Sequence, residues 1–311
     1  MPPTERPYAG DEDAWRVRAL LREAYRLDER RQRAWHVARF DYARAHTCPN
    51  VAEVRLEDVV TVWESDGTLV ALLMPDGGPG EAHLSVHPHH RTDVLAREML
   101  DVAEERLSTS TLGGGRGLTI WAYAHDDRLR ELIARRGYEP TGVVEHQWRG
   151  PLRDPVEAAP IAPGYTVRAL GDGLELLERC YASGLAFHDG DVGVAVANRT
   201  DPGWYRSIQR SPLYRRDLDV VAVAPDGAIA AFCTLWFDDP TRSVCIEPLA
   251  TVPDHRRLGL ARAVLTEGLR RAQALGADLA LVGGYDDAAN ALYGAVVGEA
   301  CERYEAWARR W

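Results

Sequence analysis

The sequence predicts a mixed α/β protein in which one structural unit occurs twice. Three observations point there: a hairpin pattern in each half, a strand-loop-helix segment repeated at constant offset, and a proline-rich stretch between the copies. At 311 residues the chain is long enough for two domains, each with its own core. With 46% apolar and 27% charged residues it has the composition of a globular protein rather than a disordered one.

In chain order, "LREAYRLDERRQRAWHVARFDYARAH" (Leu21 to His46) carries a helical pattern with a strongly charged face, and predicts one long surface helix. "VVTVWESDGTLVALLM" (Val59 to Met74) predicts two strands joined at an Asp-Gly turn. "SVHPHHRTDVLAREML" (Ser85 to Leu100) then runs from strand through loop into helix, and "LTIWAYAHDDRLRELIARRGYEP" from strand through Asp-Asp into helix. A short strand around Val143 to Trp148 closes the first copy. "RGPLRDPVEAAPIAPGY" carries four prolines, which oppose both helix and central strand and predict a semi-rigid linker over 151–164. The expected domains are therefore 1–150 and 165–311.

The second copy follows the same order. "VVAVAPDGAIAAFCTLWF" (Val220 to Phe237) is the hairpin. Pro253, Arg256, Ala261 and Leu265 repeat Pro88, Arg91, Ala96 and Leu100 at one offset of 165. "LALVGGYDDAANALYGAVVGEA" repeats the strand, Asp-Asp and helix at an offset of 160, and a last strand around Glu302 to Trp307 is expected to close the second domain. Each unit is thus expected to be a mixed, mostly antiparallel twisted sheet flanked by helices.

A formal net charge of -10 disfavours nucleic acid and anionic membranes as partners and suits a cationic acceptor. The longest apolar runs fall short of a membrane span and the start of the chain lacks a secretory core, so a cytoplasmic protein is expected. The five scattered cysteines fit buried free thiols rather than disulfides or a nucleophile. His83, His87, His89 and His90 have no metal-ligand spacing, and no metal is expected. Nothing in the sequence separates a monomer from a homodimer.

"TVPDHRRLGLARAVL" (Thr251 to Leu265) concentrates two arginines and a glycine between an apolar strand and an amphipathic helix. The first amides of a helix lack internal partners and carry the positive end of its dipole, so they attract an anion. Gly259 allows close backbone approach, Ala261 keeps the next position small, and Arg256 and Arg257 add donors suited to a diphosphate. By spacing alone, a phosphate cradle and an ordinary solvated turn are equally well supported.

Arg256, Gly259 and Ala261 match the R/Q-x-x-G-x-G/A signature of the GCN5-related N-acetyltransferase (GNAT) family, in the strand-loop-helix setting which that family requires. "NALYGAVVG" places Asn290 and Tyr293 where the family has its asparagine and acid tyrosine. The chain therefore resembles a tandem GNAT protein, with the resemblance covering most of 165–311. It implies acetyl-coenzyme A as cofactor, with Arg256, Arg257, Leu258, Gly259, Leu260 and Ala261 around its diphosphate, and Asn290 and Tyr293 alongside. Leu249, Ala250, Thr251 and Val252 would pair with its pantetheine amides like an added strand. Pro248, unable to donate, suits a bulge in that strand.

In such a transfer Tyr293 would donate a proton to the leaving thiolate, and Glu247 would accept one from the attacking ammonium of a small-molecule amine. Strand alternation could equally turn Glu247 away from the acceptor. His188, Asp189, Asp191 and Trp204 are candidate acceptor contacts, with a solvated turn and core packing as the alternatives. At the same offsets the first copy has Val94 for Gly259, Ala82 for Glu247, Arg130 for Asn290 and Ile133 for Tyr293. The first copy is expected to keep the fold without coenzyme A chemistry.

Overall fold

A computed structural model describes residues 2–111 and 113–311. The chain divides into two units, residues 1–147 with 301–311, and residues 148–300.

In order, the elements are β1 (Thr4–Pro7), α1 (Gly10–Leu27), α2 (Val37–Tyr42), a π-helical segment (Ala43–Val51) and α3 (Leu56–Val59). Next come β2 (Thr61–Ser65), β3 (Thr68–Met74), β4 (Glu81–Val86), α4 (Asp93–Arg106), β5 (Thr109–Ser110), β6 (Arg116–Tyr123), α5 (Asp127–Arg135) and β7 (Glu139–Pro151). The second copy runs β8 (Thr166–Ala169), α6 (Glu175–Phe187), α7 (Val192–Thr200), α8 (Gly203–Gln209), β9 (Asp219–Val223) and β10 (Ile229–Asp238). It continues with β11 (Ser243–Thr251), α9 (Leu260–Ala274), β12 (Leu279–Gly284), α10 (Asp287–Val296) and β13 (Glu299–Arg310).

The first unit orders its strands β1-β2-β3-β4-β6-β13, with β4 and β6 parallel over Glu81↔Thr119 to His83↔Trp121. The second orders them β7-β12-β11-β10-β9-β8, with β11 and β12 parallel over Ser243↔Leu279 to Cys245↔Leu281. Mixed sheets flanked by helices, twice, are what the sequence predicts.

The domain limits differ from those expected. The closing strand of the second copy pairs antiparallel with β6, from Tyr304↔Tyr123 to Arg310↔Gly117, and belongs to the first unit. Nor is the proline-rich stretch a bare linker. Val156 N donates to Gln273 (3.0 Å) and Ala159 N to Thr266 (2.9 Å), while Val156, Ile161 and Ala162 pack on the second core. Proline only forbids regular structure there; it does not forbid packing.

The long helix expected over Leu21 to His46 is broken. α1 stops at Leu27, Glu29 and Arg30 take positive φ, and Trp35 is buried with its ring stacked 4.8 Å from His83. Burial of Trp35, a large apolar gain, overrides the local helical pattern. Part of that stretch's charge is also inside: Asp41 is buried and pairs with Arg18 of α1.

Of the stripe expected after Gly259 (Ala261, Val264, Leu265, Gly268, Leu269, Ala272 and Leu275), Val264, Leu265, Gly268, Leu269 and Ala272 are buried and are joined by Leu260 in the core with Leu235 of β10 and Ile246 of β11. Each fully buried leucine or valine among them contributes about 1.5–3 kcal/mol. Ala261, by contrast, is half-buried and Leu275 is 37% exposed. This packing fixes where α9 begins. Among the described residues no helix is long and apolar enough to cross a membrane.

Candidate functional site

Pairing along β11 shows how one loop comes to be exposed. On one side β11 pairs with β10 out to Ala231↔Thr251, but its parallel ladder with β12 runs only to Cys245↔Leu281. Between Cys233↔Leu249 and Leu235↔Ile246 the register slips, so Glu247 and Pro248 together oppose Thr234. That is the bulge expected at Pro248. Val252 N is bonded to Ala230 O at 2.9 Å. By antiparallel alternation, Ala250 also turns its amide to β10, while Leu249 and Thr251 turn theirs the other way. Of the four residues expected to meet pantetheine, Leu249 and Thr251 are therefore the ones with suitably directed amides.

Bulge and alternation also settle which face Glu247 occupies. Leu235 and Ile246 lie in the core under α9, so Phe232, Thr234 and Trp236 of β10 and Glu247 of β11 fall on the opposite face. Trp236 donates its indole N–H to Glu247 O at 2.5 Å, which holds the bulge in place.

After Thr251 a short turn, Pro253–His255, leads into the arginine loop. Tyr165 OH lies 2.8 Å from His255 Nδ1 and steadies that turn. Arg257 and Gly259 have φ of 68° and 74°, and Gly259 is the N-cap of α9 with no side chain capping the helix amides. A Cβ built on Gly259 would meet nothing within 4 Å, so the approach to those amides is clear. Arg256, Arg257 and Arg262 are exposed and form no ion pair among the described residues; Arg256 Nε reaches Thr251 O at 3.4 Å. Unneutralised guanidinium groups beside uncapped amides give this corner a positive potential that attracts anions.

The same corner of the first unit is closed by small changes. α4 begins at Asp93, two residues earlier in the repeat register than α9, and Thr92 caps it by accepting from Leu95 N. Val94, in place of Gly259, is 73% exposed at that helix start. Arg91, in place of Arg256, is gripped by Asp28. A cavity of about 330 Å³ remains there between β4, α4 and α5, but two of its three arginines are committed, Arg91 to Asp28 and Arg128 to Asp93.

One expected correspondence is corrected. β3 and β4 pair without a bulge, with Met74↔His83 where the second copy has Thr234 opposite Glu247 and Pro248. By facing, the counterpart of Glu247 is His83, not Ala82, which lies in the core under α4. His83 is 2% exposed, with Nδ1 bonded to Tyr304 OH and Nε2 2.9 Å from Ser85 Oγ. Burial holds its imidazole well below the ordinary value of 6.5.

In the second unit Tyr293 is buried on α10 and Asn290 half-buried one turn before it. Asn290 Oδ1 accepts the Trp148 indole N–H at 2.7 Å, which ties α10 to the end of β7. A Cβ on Gly284 would lie 2.5 Å from Asn290 Oδ1 and 3.1 Å from the Tyr293 ring, so this glycine lets α10 close on β12.

The loop expected to meet the acceptor has local duties. His188 is the C-cap of α6, Asp189 sits in a left-handed turn, and Asp191 caps α7 by accepting from Val194 N at 3.1 Å. A Cβ on Gly190 would lie 3.7 Å from Pro253, which places this loop beside the arginine-loop turn. Trp204, on α8, packs edge-on against Tyr205 at 5.2 Å.

Sequence reasoning passed over the polar cluster beneath α6. Asp219, fully buried, accepts from Tyr205 OH (2.7 Å), Tyr214 OH (2.8 Å) and Thr234 Oγ1 (3.2 Å). Burial keeps both phenols protonated, with Asp219 raising them further. The overlooked signal is an arginine and a serine, Arg179 and Ser183, one turn apart in the inward stripe of "ELLERCYASGLAF". Burial also pushes the Cys48 and Cys180 thiols up to about 12, and Cys233 well above its usual range, which removes these three as nucleophiles.

In each unit a parallel strand pair leads into a helix, and in the second unit that helix starts without a side-chain cap. The model of the acetyltransferase (GNAT) family matches residues 189–298. A mycothiol acetyltransferase of Tsukamurella paurometabola is 33% identical over 141 residues, which span 43% of this chain and 45% of that protein. Among solved structures, a GCN5-related N-acetyltransferase from Sphaerobacter thermophilus superposes with a TM-score of 0.67, at 18% identity over 99% of this chain and 95% of that one. A tandem GNAT protein from the clavulanic acid biosynthesis pathway gives 0.66, at 16% identity over 99% and 98%. The family match lies within the second unit, and both solved structures share the fold of nearly the whole chain.

Proposed function

We propose that the second unit transfers an acetyl or other short acyl group from coenzyme A to a primary amine of a small molecule, by direct attack in a ternary complex. One observation carries the reading: Gly259, left-handed and unobstructed, exposes the uncapped start of α9 between arginines that form no ion pair among the described residues. The curated relative is a mycothiol acetyltransferase, which fits a small-molecule acceptor.

Acetyl-coenzyme A, when bound, supplies the acyl group as an activated thioester. Arg256, Arg257, Leu258, Gly259, Leu260 and Ala261 hold its diphosphate, and the amides of Leu249 and Thr251 hold its pantetheine arm. Glu247 accepts a proton from the acceptor ammonium, directly or through water, since an alkyl ammonium of pKa about 10.4 must be deprotonated before it attacks. Tyr293 holds a proton at its phenol oxygen for the departing sulfur, with Asn290 and Trp148 fixing its helix. The first unit has a supporting role.

Incubation of the full chain with acetyl-coenzyme A and a panel of amines, following free thiol, tests this. The expected result is thiol release that requires an amine. Tight acetyl-coenzyme A binding with no amine-dependent release would point instead to a sensor.

A further inference from the structure

Arg179 is fully buried, on the inward face of α6. Its Nη1 donates to Ser183 Oγ at 2.9 Å, and its guanidinium carbon lies 3.4 Å from the Phe232 ring centroid and 4.7 Å from that of Tyr205. Nε and Nη2 have no hydrogen-bond partner among the described residues, and Arg179 forms no ion pair among them. Asp219, which shares Tyr205 with it, is filled by three hydroxyls. An arginine cannot shed its proton, and a buried charge without a partner is costly. The two nitrogens left over form one edge of the guanidinium, the edge that binds a carboxylate side-on through two parallel hydrogen bonds.

Position adds to chemistry. Phe232, beneath the guanidinium, pairs with Ala250 of β11, and Thr234 on the same face opposes the Glu247 bulge. We infer that Arg179 receives a carboxylate of the acceptor, so that the substrate class is amino acids and similar amines bearing a free carboxylate, with the amine directed to Glu247. This rests on the acyl-transfer reading above. Arg179 is buried between α6 and the sheet, so this binding requires α6 to part from Phe232 and Tyr205 when the acceptor enters.

The test pairs each amino acid with its decarboxylated amine: alanine with ethylamine, phenylalanine with phenethylamine, tryptophan with tryptamine. Thiol release by the full chain is compared within each pair, for wild type and Arg179→Met. In wild type kcat/KM should favour at least one carboxylated member by about 100-fold or more, since a site built for a polar group rejects the analogue lacking it. In the variant that ratio should fall to within a few-fold of one. Equal turnover within every wild-type pair, or a ratio unchanged in the variant, overturns the inference. Thermal unfolding of wild type with the same compounds decides the matter even if the variant fails to fold or no acceptor turns over. A higher midpoint with a carboxylated member alone supports Arg179 as its receptor, and equal or absent shifts contradict it. Absence of thiol release throughout, with such a shift present, would count against acyl transfer rather than against the carboxylate.

Discussion

Asp28 holds Arg91 through both carboxylate oxygens, at 2.8 and 2.5 Å, while Arg256 at the matching place in the second repeat donates to Thr251 O at 3.4 Å and forms no ion pair among the described residues. One guanidinium is neutralised internally and the other is available. With Thr92 capping α4 and Val94 at its start, the first unit should take up no acetyl-coenzyme A. Equilibrium dialysis of the full chain should therefore give one molecule bound per chain; two per chain would show that the first corner is also competent.

Arg256 and Arg257 are exposed, so their attraction for a diphosphate should weaken with salt. Replacing both by alanine should lower acetyl-coenzyme A affinity about tenfold or more, since each hydrogen bond to a charged group is worth roughly 1.5–3 kcal/mol. The salt dependence of binding should flatten in the same variant. Titrations at low and moderate ionic strength check both effects.

Tyr293→Phe keeps the ring packed on α10 and removes the proton. The expected outcome is a fall in kcat of about 10²- to 10⁴-fold, with KM for acetyl-coenzyme A nearly unchanged. Steady-state kinetics with a saturating acceptor distinguish this from a packing role, which would leave kcat intact.

The fold was legible in this sequence because repetition is a pattern that tertiary context does not disturb. Pro88 and Pro253, Arg91 and Arg256, keep one offset, and the structure places each pair in equivalent turns. The exchange of the last strand was not legible: Glu302 to Trp307 reads as a strand in either unit, and only its ladder with β6 assigns it. The counterpart of Glu247 was misassigned because a bulge adds one residue to β11 without a signal in local composition. The buried cluster of Arg179, Tyr205, Tyr214 and Asp219 joins α6, α8, a loop and β9, which helical periodicity alone cannot bring together.

His83 makes acid sensitivity a property of the first unit. Its folded pKa lies well below 6.5, so as pH falls below about 6.5 the unfolded chain takes up a proton that the folded chain refuses. Stability should be level above that value and decline below it, by up to about 1.4 kcal/mol per pH unit for this one proton. His87 is also held low by burial and adds a smaller share. Chemical denaturation between pH 7.5 and 5.5 should show a shallower decline for His83→Gln than for wild type; identical slopes would exclude His83 as the source.

Gly284→Ala would drive a methyl group to 2.5 Å from Asn290 Oδ1 and 3.1 Å from the Tyr293 ring. Overpacking of this kind costs about 1–3 kcal/mol and should push α10 off β12. A lower unfolding midpoint together with reduced kcat is expected, and an unchanged kcat would separate the position of Tyr293 from turnover.

Calorimetric titration of acetyl-coenzyme A into wild type and Gly259→Val probes the start of α9 most directly. The substitution puts a branched side chain into the clear space over the helix amides, at a backbone φ of 74° that costs an ordinary residue about 1–2 kcal/mol. Wild type should bind with measurable heat and the folded variant with none. Equal affinity in the two proteins would contradict the assignment of this loop as the diphosphate cradle.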